Sequence, residues 1–568
     1  MNAMVDTGGS QMKTEARSRK QPPRYAPKQT LGAFLVAALF CAGTLYYLAW
    51  RLTVTNWTLW WLGVPLLLAE LFSIFSTLGL LYTTWPRPHP PIHASLDPST
   101  LPVFILIPTV NEGVGVVEPT LRGAFAARAK YLEHCPNAVV TVVVCNDGRA
   151  AGYAHWPEIE RLAARMGAHC VTRTVPGGAK AGNIEHARQA VGAVGDALVA
   201  LFDADMVAEP DFFVKTLPLF ADPAVGWVQT GQYYRNRENA VARWAHDQQV
   251  LFYRLVCVGK AAVNGAFICG TNVVIRAAAL DSIGGLPQNT VTEDLAASIL
   301  LHPKWRSFYL PDILALGLGP EDLGAYFSQQ RRWATGTFGV LFRHWRTLLL
   351  PWRKDLTAAQ RFQYLYCCTH FFSGLRDLVC LAAPLLYLWL GLSAFRAFGT
   401  VSFFEHFLPY WAGSLFVFWY CIRGKADFRE VLHGSILGFG TFPVFVSSLA
   451  GALLKRRLRF IVTAKRRQEG SGWQHLLPQI ISLLLCLGGL YHFLFWTGGG
   501  GWLGLAGVFW MVYLTALNSG MLWLGLAENP ETEQKLIRAG KKLLFVLTLS
   551  FLRRPGAVAP GSPRNEAG

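Results

Sequence analysis

Residues 197–206 read Ala-Leu-Val-Ala-Leu-Phe-Asp-Ala-Asp-Met, an apolar run that ends in two carboxylates. An unbroken apolar run of this length is typical of a strand buried on both faces of a parallel sheet. Ligands of such sheets bind just beyond the carboxyl ends of the strands. Asp203 and Asp205 lie at that point, and their hard oxygen atoms suit a Mg²⁺ or Mn²⁺ ion bridging a diphosphate. The alternative is a solvated loop.

The segments around this run alternate between apolar strand-like stretches and helical patterns. Strands are predicted at Val103–Pro108, Val139–Asn146 and Ala197–Phe202, with crossover helices at Val117–His134, Pro157–Met166 and Gly182–Val194. This alternation predicts an α/β layered domain that resembles a nucleotide-binding half-Rossmann fold. Asp147 follows the second strand as Asp203 follows the third, so both are expected at one edge of the sheet. The chain has neither a G-x-G-x-x-G nor a Walker A pattern, which argues against a dinucleotide or P-loop enzyme.

The composition is that of a membrane protein. Apolar residues make up 52% of the chain and charged residues only 15%, against about 25% charged residues in soluble proteins. A crossing helix needs about 20 apolar residues. Six crossings are predicted, at Leu31–Trp50, Trp57–Trp85, Phe371–Phe395, Phe407–Ile422, Leu476–Trp496 and Trp502–Leu526.

Basic residues set the predicted orientation. A basic cluster at 13–28 precedes the first crossing and places the N-terminus in the cytoplasm, so residues 86–370 are cytosolic as well. Val431–Leu454 is predicted to be interfacial or re-entrant, because a full crossing would put the basic residues of 455–467 outside. Both termini are then cytosolic, in a protein of the cytoplasmic (inner) membrane. The net charge of +17 is thus attributed to the membrane surface and not to nucleic acid.

Two further motifs carry carboxylate or ammonium groups. Lys180 lies in the Gly- and Ala-rich stretch 177–183, where the backbone can approach a phosphate and the ammonium adds a point charge. The alternative for this stretch is a flexible surface loop. Thr292-Glu293-Asp294 opens a helical pattern, with Thr292 as the expected N-cap. A carboxylate at such a helix tip can accept the proton of an attacking sugar hydroxyl.

The third of these further motifs, Gln329-Gln330-Arg331-Arg332-Trp333, lies on a helix predicted to run to about Val340. Gln329, Arg332 and Trp333 share one face of that helix. Arg332 can neutralise a departing diphosphate, and Trp333 can stack on a sugar ring. The alternative is a membrane-surface helix with a basic rim and an aromatic anchor.

Taken in order, the motifs carry a family resemblance. They are Pro108-Thr109-Val110-Asn111-Glu112, Asn146-Asp147-Gly148, Lys180-Ala181-Gly182-Asn183, Asp203-Ala204-Asp205, Thr292-Glu293-Asp294 and Gln329-x-x-Arg332-Trp333. The set resembles the processive family 2 glycosyltransferases, specifically the bacterial cellulose synthase catalytic subunit. Phe460-Ile461-Val462-Thr463-Ala464-Lys465 also looks like their F-x-V-T-x-K gating loop. The resemblance implies a GT-A-like (half-Rossmann) cytosolic glycosyltransferase domain inserted in a multi-pass α-helical membrane domain.

The resemblance also implies a role for each matching residue. Asp294 would be the general base, and Asp205 with Asp203 would hold the metal. The nucleotide, diphosphate and donor sugar would contact Asp147 (at the uracil), Lys180, Asp203, Gln329 and Arg332. Thr463 and Lys465 of the gating loop would close over them as a lid. The acceptor would contact Trp333, the segment containing Cys269 and Gly270, and the helix tip at Thr292 and Glu293.

The implied activity is transfer of glucose from UDP-glucose to a growing β-glucan, with Mg²⁺ or Mn²⁺, followed by passage of the polymer through the bilayer. The resemblance does not specify an accessory export subunit. Asn146, Met206 and the run Gln229–Tyr234 depart from the usual family pattern and leave sugar and linkage open. The alternatives are curdlan, mixed-linkage glucan or poly-N-acetylglucosamine, or a non-catalytic transporter with a nucleotide-binding domain.

The predicted organisation follows from these assignments. Residues 1–30 form a basic cytosolic segment, 31–85 two transmembrane helices, 86–345 the glycosyltransferase domain and 346–370 interfacial helices. Residues 371–527 form the membrane channel, including the segment 431–454 and the gating loop 455–473, and 528–568 form a partly disordered cytosolic tail.

Overall fold

The computed structural model describes residues 27–353, 355–396, 400–454, 473–496, 501–528, 531–535 and 537–539. The strands within these residues are β1 (Val103–Thr109), β2 (Val140–Asn146), β3 (His169–Thr172), β4 (Leu198–Leu201), β5 (Val207–Ala208), β6 (Val225–Thr230), β7 (Tyr233–Tyr234), β8 (Val273–Arg276), β9 (Arg306–Leu310) and β10 (Ala315–Gly317).

The helices of the first 351 residues are α1 (Pro27–Val54), α2 (Trp60–Thr83), α3 (Val114–His134), α4 (Trp156–Met166), α5 (Ala179–Ala190), α6 (Phe212–Thr216), α7 (Ala240–Leu251), α8 (Val258–Ala261), α9 (Ala277–Asp281), α10 (Glu293–Leu301) and α11 (Leu323–Leu349). Those that follow are α12 (Ala358–Thr369), α13 (Ser373–Leu390), α14 (Thr400–Ile422), α15 (Phe428–Gly440), α16 (Phe442–Leu453), α17 (Trp473–Trp496) and α18 (Gly501–Leu526).

Seven strands form one mixed sheet in the order β3-β2-β1-β4-β8-β6-β9. β3, β2, β1 and β4 are parallel, whereas β8 runs antiparallel to both of its neighbours. The three strands predicted from apolar runs are therefore adjacent at the centre of the sheet, as expected. Their carboxyl ends at Thr109, Asn146 and Leu201 meet at one edge, which is where ligands of such sheets bind.

Side chains of β1 alternate between two apolar cores. Ile105 and Ile107 point into the layer under α3 and α4, where Leu121 and Leu162 are fully or almost fully buried. Leu106 points to the other face, which α5, α9 and α10 cover. Each fully buried Leu or Ile side chain contributes about 1.5–3 kcal/mol, so burial on both faces fixes the sheet between two helical layers.

Five helical stretches are long and apolar enough to cross a membrane, namely Thr30–Val54, Trp60–Thr83, Ala358–Leu390, Gln474–Trp496 and Ala506–Leu526. The third joins α12 and α13 through a 3₁₀ turn, so it begins earlier than the predicted Phe371. The predicted crossing Phe407–Ile422 lies in α14, which is not among these five, although it is 23 residues long. Charged and polar aromatic side chains such as Glu405, Tyr410 and Trp411 interrupt its apolar sequence.

α15 and α16 cover the segment Val431–Leu454, which was predicted to be interfacial or re-entrant. They meet at a bend of 47°, the geometry of a broken span or a re-entrant loop. Pro443 near the start of α16 has no backbone N–H, so the helical hydrogen bonding of α15 is not continued through it. Counted with this pair, the described residues supply up to six spans. The interfacial position of the segment stays a prediction.

Direct contacts hold the α/β domain against the membrane helices. On α15, His433 Nδ1 lies 2.7 Å from an Asp247 carboxylate oxygen on α7. The His433 ring also stacks on Trp244 at a centroid distance of 4.2 Å. Thr441, between α15 and α16, donates from Oγ1 to Tyr326 Oη on α11 at 3.4 Å. Helices α7 and α11 of the α/β domain therefore contact the α15–α16 pair.

Candidate functional site

One cavity of about 1670 Å³ begins at the carboxyl edge of the sheet and continues among the membrane helices. It brings together the predicted residues Asp147, Lys180, Asp203, Asp205, Cys269, Gly270, Thr292, Glu293, Asp294, Gln329, Arg332 and Trp333. These come from six separate stretches of sequence, so their convergence is a result of the fold. Thr463 and Lys465, predicted for the lid, lie outside the described residues.

Asp147 lies at the end of the cavity formed by the parallel strands. It follows β2 and is 6% exposed. Arg173, which follows β3, donates from Nε and Nη2 to Asp147 Oδ1 and Oδ2 at 2.8 and 2.6 Å. Such a two-point pair fixes the carboxylate and adds energy as well as geometry. Sequence reasoning missed Arg173, because β3, the strand that it follows, was not predicted.

Removing the Arg173 side chain is expected to destabilise the protein strongly. Arg173→Met leaves Asp147 buried without its charge partner, which costs about 3–5 kcal/mol in buried pairs. Arg122→Met is the matched control, because the Arg122–Glu118 pair is exposed and such pairs contribute about 0–1 kcal/mol. Thermal unfolding of the purified variants tests this. Equal melting temperatures for the two would contradict the structural role of Arg173.

Two departures from the family pattern do not reach the cavity. Asn146 donates to Trp156 O at 2.9 Å and accepts from Gly148 N at 3.1 Å, so it shapes the turn. Met206 is 1% exposed and packs against Gly317 and Asn272 in the interior. Both substitutions therefore act on local packing.

Lys180 lies at the start of α5, behind the left-handed Gly178 (φ +64°). Its ammonium donates to an Asp203 carboxylate oxygen and, at 2.8 Å, to Gly270 O. Burial, the largest single influence, lowers the pKa of Lys180, but Asp203, Glu293 and Asp294 together outweigh it and raise that pKa. Lys180 is thus a fixed positive charge between residues 203–205, here called the D-x-D loop, and the tip of α10.

Asp203 and Asp205 both face the cavity from the loop after β4. Asp203 N donates to Thr271 Oγ1 at 2.9 Å, and Asp205 Oδ2 accepts from Leu318 N at 3.0 Å. No group of three His, Cys, Asp or Glu side chains that could hold a metal is found among the described residues. Two carboxylates completed by phosphate oxygens are a usual Mg²⁺ environment, so the pair fits a metal that arrives with a nucleotide.

Asp294 occupies the first turn of α10, opposite Gly270. A Cβ atom built on Gly270, whose φ is +80°, would lie 3.1 Å from Asp294 Oδ2. Asp294 Oδ1 accepts from Leu295 N at 2.8 Å. Burial, followed by the charge of Glu293, raises the pKa of Asp294 to about 7. A carboxyl group with such a pKa can take up and release protons near neutral pH.

Thr292 does not cap α10, contrary to the prediction. It stands at the N-cap position, but its side chain accepts no cap hydrogen bond. Instead its methyl and hydroxyl groups pack against Gly336 of α11. The absence of a side chain at Gly336 lets α10 and α11 approach closely, and this long-range contact replaces the local cap.

The segment containing Cys269 and Gly270 is held by Gln229, another residue that sequence reasoning did not assign. Gln229 Oε1 accepts from Cys269 N at 2.8 Å, and Gln229 Nε2 donates to Thr271 O at 2.8 Å. Ser298 of α10 adds a bond, accepting from Ile268 N at 2.8 Å. The backbone opposite Asp294 is therefore fixed from both sides.

α11 presents the third motif to the cavity. Gln329, Arg332 and Trp333 all line it, as the helical spacing predicts. Gln329 is 7% exposed, and its Nε2 lies 3.5 Å from Tyr234 Oη. The predicted helix end near Val340 was too early, because α11 continues to Leu349. Its later turns pack against α12 and α16, contacts that local sequence does not reveal.

The cavity then passes among membrane helices. Phe75 of α2, Arg376 and Asp377 of α13, and Trp510 and Tyr513 of α18 line this part. Arg376 Nη2 lies 2.7 Å from Asp377 Oδ1, so the two charges compensate each other. Aromatic rings and neutralised polar groups suit the faces and hydroxyls of a sugar chain.

Comparisons with known proteins find similarity to glycosyltransferases. The family model described as "Glycosyltransferase like family 2" matches residues 101–336. A "Cellulose synthase catalytic subunit [UDP-forming]" of Pseudomonas fluorescens is 28% identical, over 96% of this chain and 72% of that protein. A "Cellulose synthase 1 catalytic subunit [UDP-forming]" of Komagataeibacter xylinus is 32% identical, over 61% of this chain and 46% of that protein.

Among solved structures, a mannosyltransferase of Pyrobaculum calidifontis in complex with GDP-Man and Mn²⁺ is similar to this chain. The identity is 15% and the TM-score 0.47, over 70% of this chain and 100% of that one.

Proposed function

We propose that this chain, whose residues 101–336 match the family 2 glycosyltransferase model, is a GT-A-like enzyme that transfers glucose from UDP-glucose to a growing β-glucan. The chain would also pass the polymer through its own membrane helices. The observation that carries the proposal is the single cavity, which joins the nucleotide end at Asp147, the carboxyl group of Asp294 and the membrane helices. The names of the two cellulose synthase relatives support UDP and a glucan as the nucleotide and product.

In the proposed reaction Asp294 accepts the proton of the acceptor hydroxyl. The freed oxygen attacks the anomeric carbon from the face opposite the diphosphate, so one displacement converts an α-linked donor into a β-linked product. Negative charge develops on the departing UDP. Lys180, which is hydrogen-bonded to Asp203, and Arg332 both line the cavity and would stabilise that charge. Electrostatic stabilisation of this kind often contributes more to catalysis than any other effect.

Asp203 and Asp205 are the residues that would hold a divalent ion, Mg²⁺ or Mn²⁺. When bound, the ion supplies additional positive charge at the diphosphate. Trp333 provides an aromatic face for the terminal sugar of the acceptor, and Thr463 and Lys465 would cover the bound diphosphate.

The pH dependence of the rate follows from the raised pKa of Asp294. A general base must be deprotonated, so the rate is expected to rise with pH and to reach half its maximum near the pKa of about 7. Glu293→Gln removes a negative neighbour and is expected to move this midpoint to lower pH. Glu238→Gln, an exposed carboxylate outside the cavity, is the control. An unchanged midpoint in Glu293→Gln would contradict the electrostatic coupling.

The proposed donor can be tested with purified protein in lipid vesicles. We expect radiolabel from UDP-glucose, and not from UDP-N-acetylglucosamine, to enter a polymer that a β-glucanase degrades. Linkage analysis of the product then separates cellulose from curdlan and mixed-linkage glucan. Incorporation from UDP-N-acetylglucosamine alone would show that the product is an amino-sugar polymer and not a glucan. The assignment as a glycosyltransferase would still hold.

The topology is proposed with the nucleotide end of the cavity and both termini in the cytosol. It rests on the distribution of basic residues around the apolar helices. In inside-out vesicles we expect labelled polymer to resist added β-glucanase until detergent opens the membrane. Complete digestion without detergent would show that the polymer is released on the side where UDP-glucose binds.

A further inference from the structure

The turn that follows Asp147 brings the aromatic residue Tyr153 back beside Gly148, the next residue after Asp147. Ala151 N donates to Asp147 O at 3.0 Å, and Tyr153 N donates to Gly148 O at 2.9 Å. Gly152 between them has a φ of +78°, a left-handed conformation that glycine adopts without strain. These bonds reverse the chain within six residues, so that Tyr153 returns to the position next to Gly148.

Val110 approaches the same glycine from the end of β1. A Cβ atom built on Gly148 would lie 2.9 Å from Val110 O, so the two backbones are in close contact. Val110, Asp147 and Tyr153 all line the cavity, and Tyr153 is 38% exposed. Among the cavity-lining residues between 103 and 205, all of which the structure describes, Tyr153 is the one aromatic residue.

A flat heterocycle fits this combination of groups. Arg173 fixes both oxygens of Asp147, and a carboxylate held in this way can accept a hydrogen bond from a ring N–H through its remaining lone pairs. The ring of Tyr153, which lines the same cavity, offers a stacking face, and Val110 adds an apolar contact. Trp333, the aromatic residue of the third motif, belongs to α11, which packs against the tip of α10 through Gly336 and Thr292.

From this geometry we propose that Tyr153 is the stacking residue for the nucleobase of the donor, with Asp147 at the edge of the base. The inference rests on the proposed function, because it needs a nucleotide donor. When an aromatic side chain that stacks on a base is replaced by alanine, the affinity falls roughly ten- to hundredfold. The loss should appear in binding and in the Michaelis constant, since Tyr153 does not contact the reacting atoms.

Binding of UDP and of pyrophosphate to the full-length protein, measured by calorimetry with Mg²⁺, tests this inference. Tyr153→Ala is expected to weaken UDP binding about ten- to hundredfold and to leave pyrophosphate binding as in the unmodified protein. Tyr153→Phe keeps the ring and is expected to restore UDP affinity. His155→Ala is the matched control, because His155 is exposed in the same loop and does not line the cavity.

Three outcomes would overturn the inference. UDP affinity unchanged in Tyr153→Ala would show that the ring does not stack on the base. Equal losses for UDP and pyrophosphate would show that the substitution disturbs the whole site. If the unmodified protein bound pyrophosphate but no UDP, the proposed function itself would fail, and the stacking residue with it.

Discussion

Asp294→Asn is expected to abolish polymer synthesis while UDP binding survives. The amide has nearly the shape of the carboxylate but cannot accept the proton of the acceptor hydroxyl, and loss of such a base costs roughly 10²–10⁴-fold in rate. Asp294 lies across from Gly270 and has no hydrogen bond to Asp147 or Arg173 at the nucleotide end. UDP binding is therefore expected to survive the substitution. Radiolabel incorporation and calorimetry with UDP measure the two properties separately.

Glu238→Gln serves as the matched control for this substitution, since it removes an exposed carboxylate outside the cavity. Synthesis by Asp294→Asn at more than about a tenth of the normal rate would exclude Asp294 as the base. Loss of UDP binding along with synthesis would indicate a collapsed site instead of a missing base.

The second large effect is expected at Lys180. Lys180→Met removes the ammonium that joins the Asp203 carboxylate to Gly270 O. Without it the developing charge on UDP loses a fixed neighbour, and a loss of about 10²–10³-fold in kcat is expected, as for a deleted electrostatic donor in other enzymes. Steady-state assays with saturating UDP-glucose measure this effect.

Lys180→Arg and Lys215→Met are the controls. Arginine keeps the charge, so it is expected to retain more activity than methionine although its geometry differs. Lys215 pairs with Asp312 at 2.8 Å outside the cavity, and its removal tests the general effect of losing a lysine. Normal kcat in a folded Lys180→Met variant would contradict a role of the ammonium in leaving-group stabilisation.

The central strands, and the positions of the carboxylates that follow them, were predictable because their signals are local. The apolar runs that became β1, β2 and β4 are continuous in sequence, and each predicted strand agrees with the structure within two residues. Asp147 and Asp203 follow such strands directly, so the edge rule for parallel sheets locates them. The helical spacing of Gln329, Arg332 and Trp333 likewise gives their common face.

The rest depends on contacts between distant segments. Arg173 reaches Asp147 only because β3 pairs with β2 in a register that places Thr172 opposite Asn146. The packing of Thr292 on Gly336 requires α10 and α11 to approach each other, so the local cap prediction failed. Hydrophobic runs also could not show that α12 and α13 join into one apolar stretch.

A cryo-EM structure of the full-length protein with UDP and Mg²⁺ tests the account most directly. We predict nucleotide density within the cavity, with the base beside Asp147 and the diphosphate next to both Lys180 and the D-x-D loop. Density for UDP anywhere outside this cavity, or a structure in which Asp205, Asp294 and Trp333 line separate cavities, would contradict it.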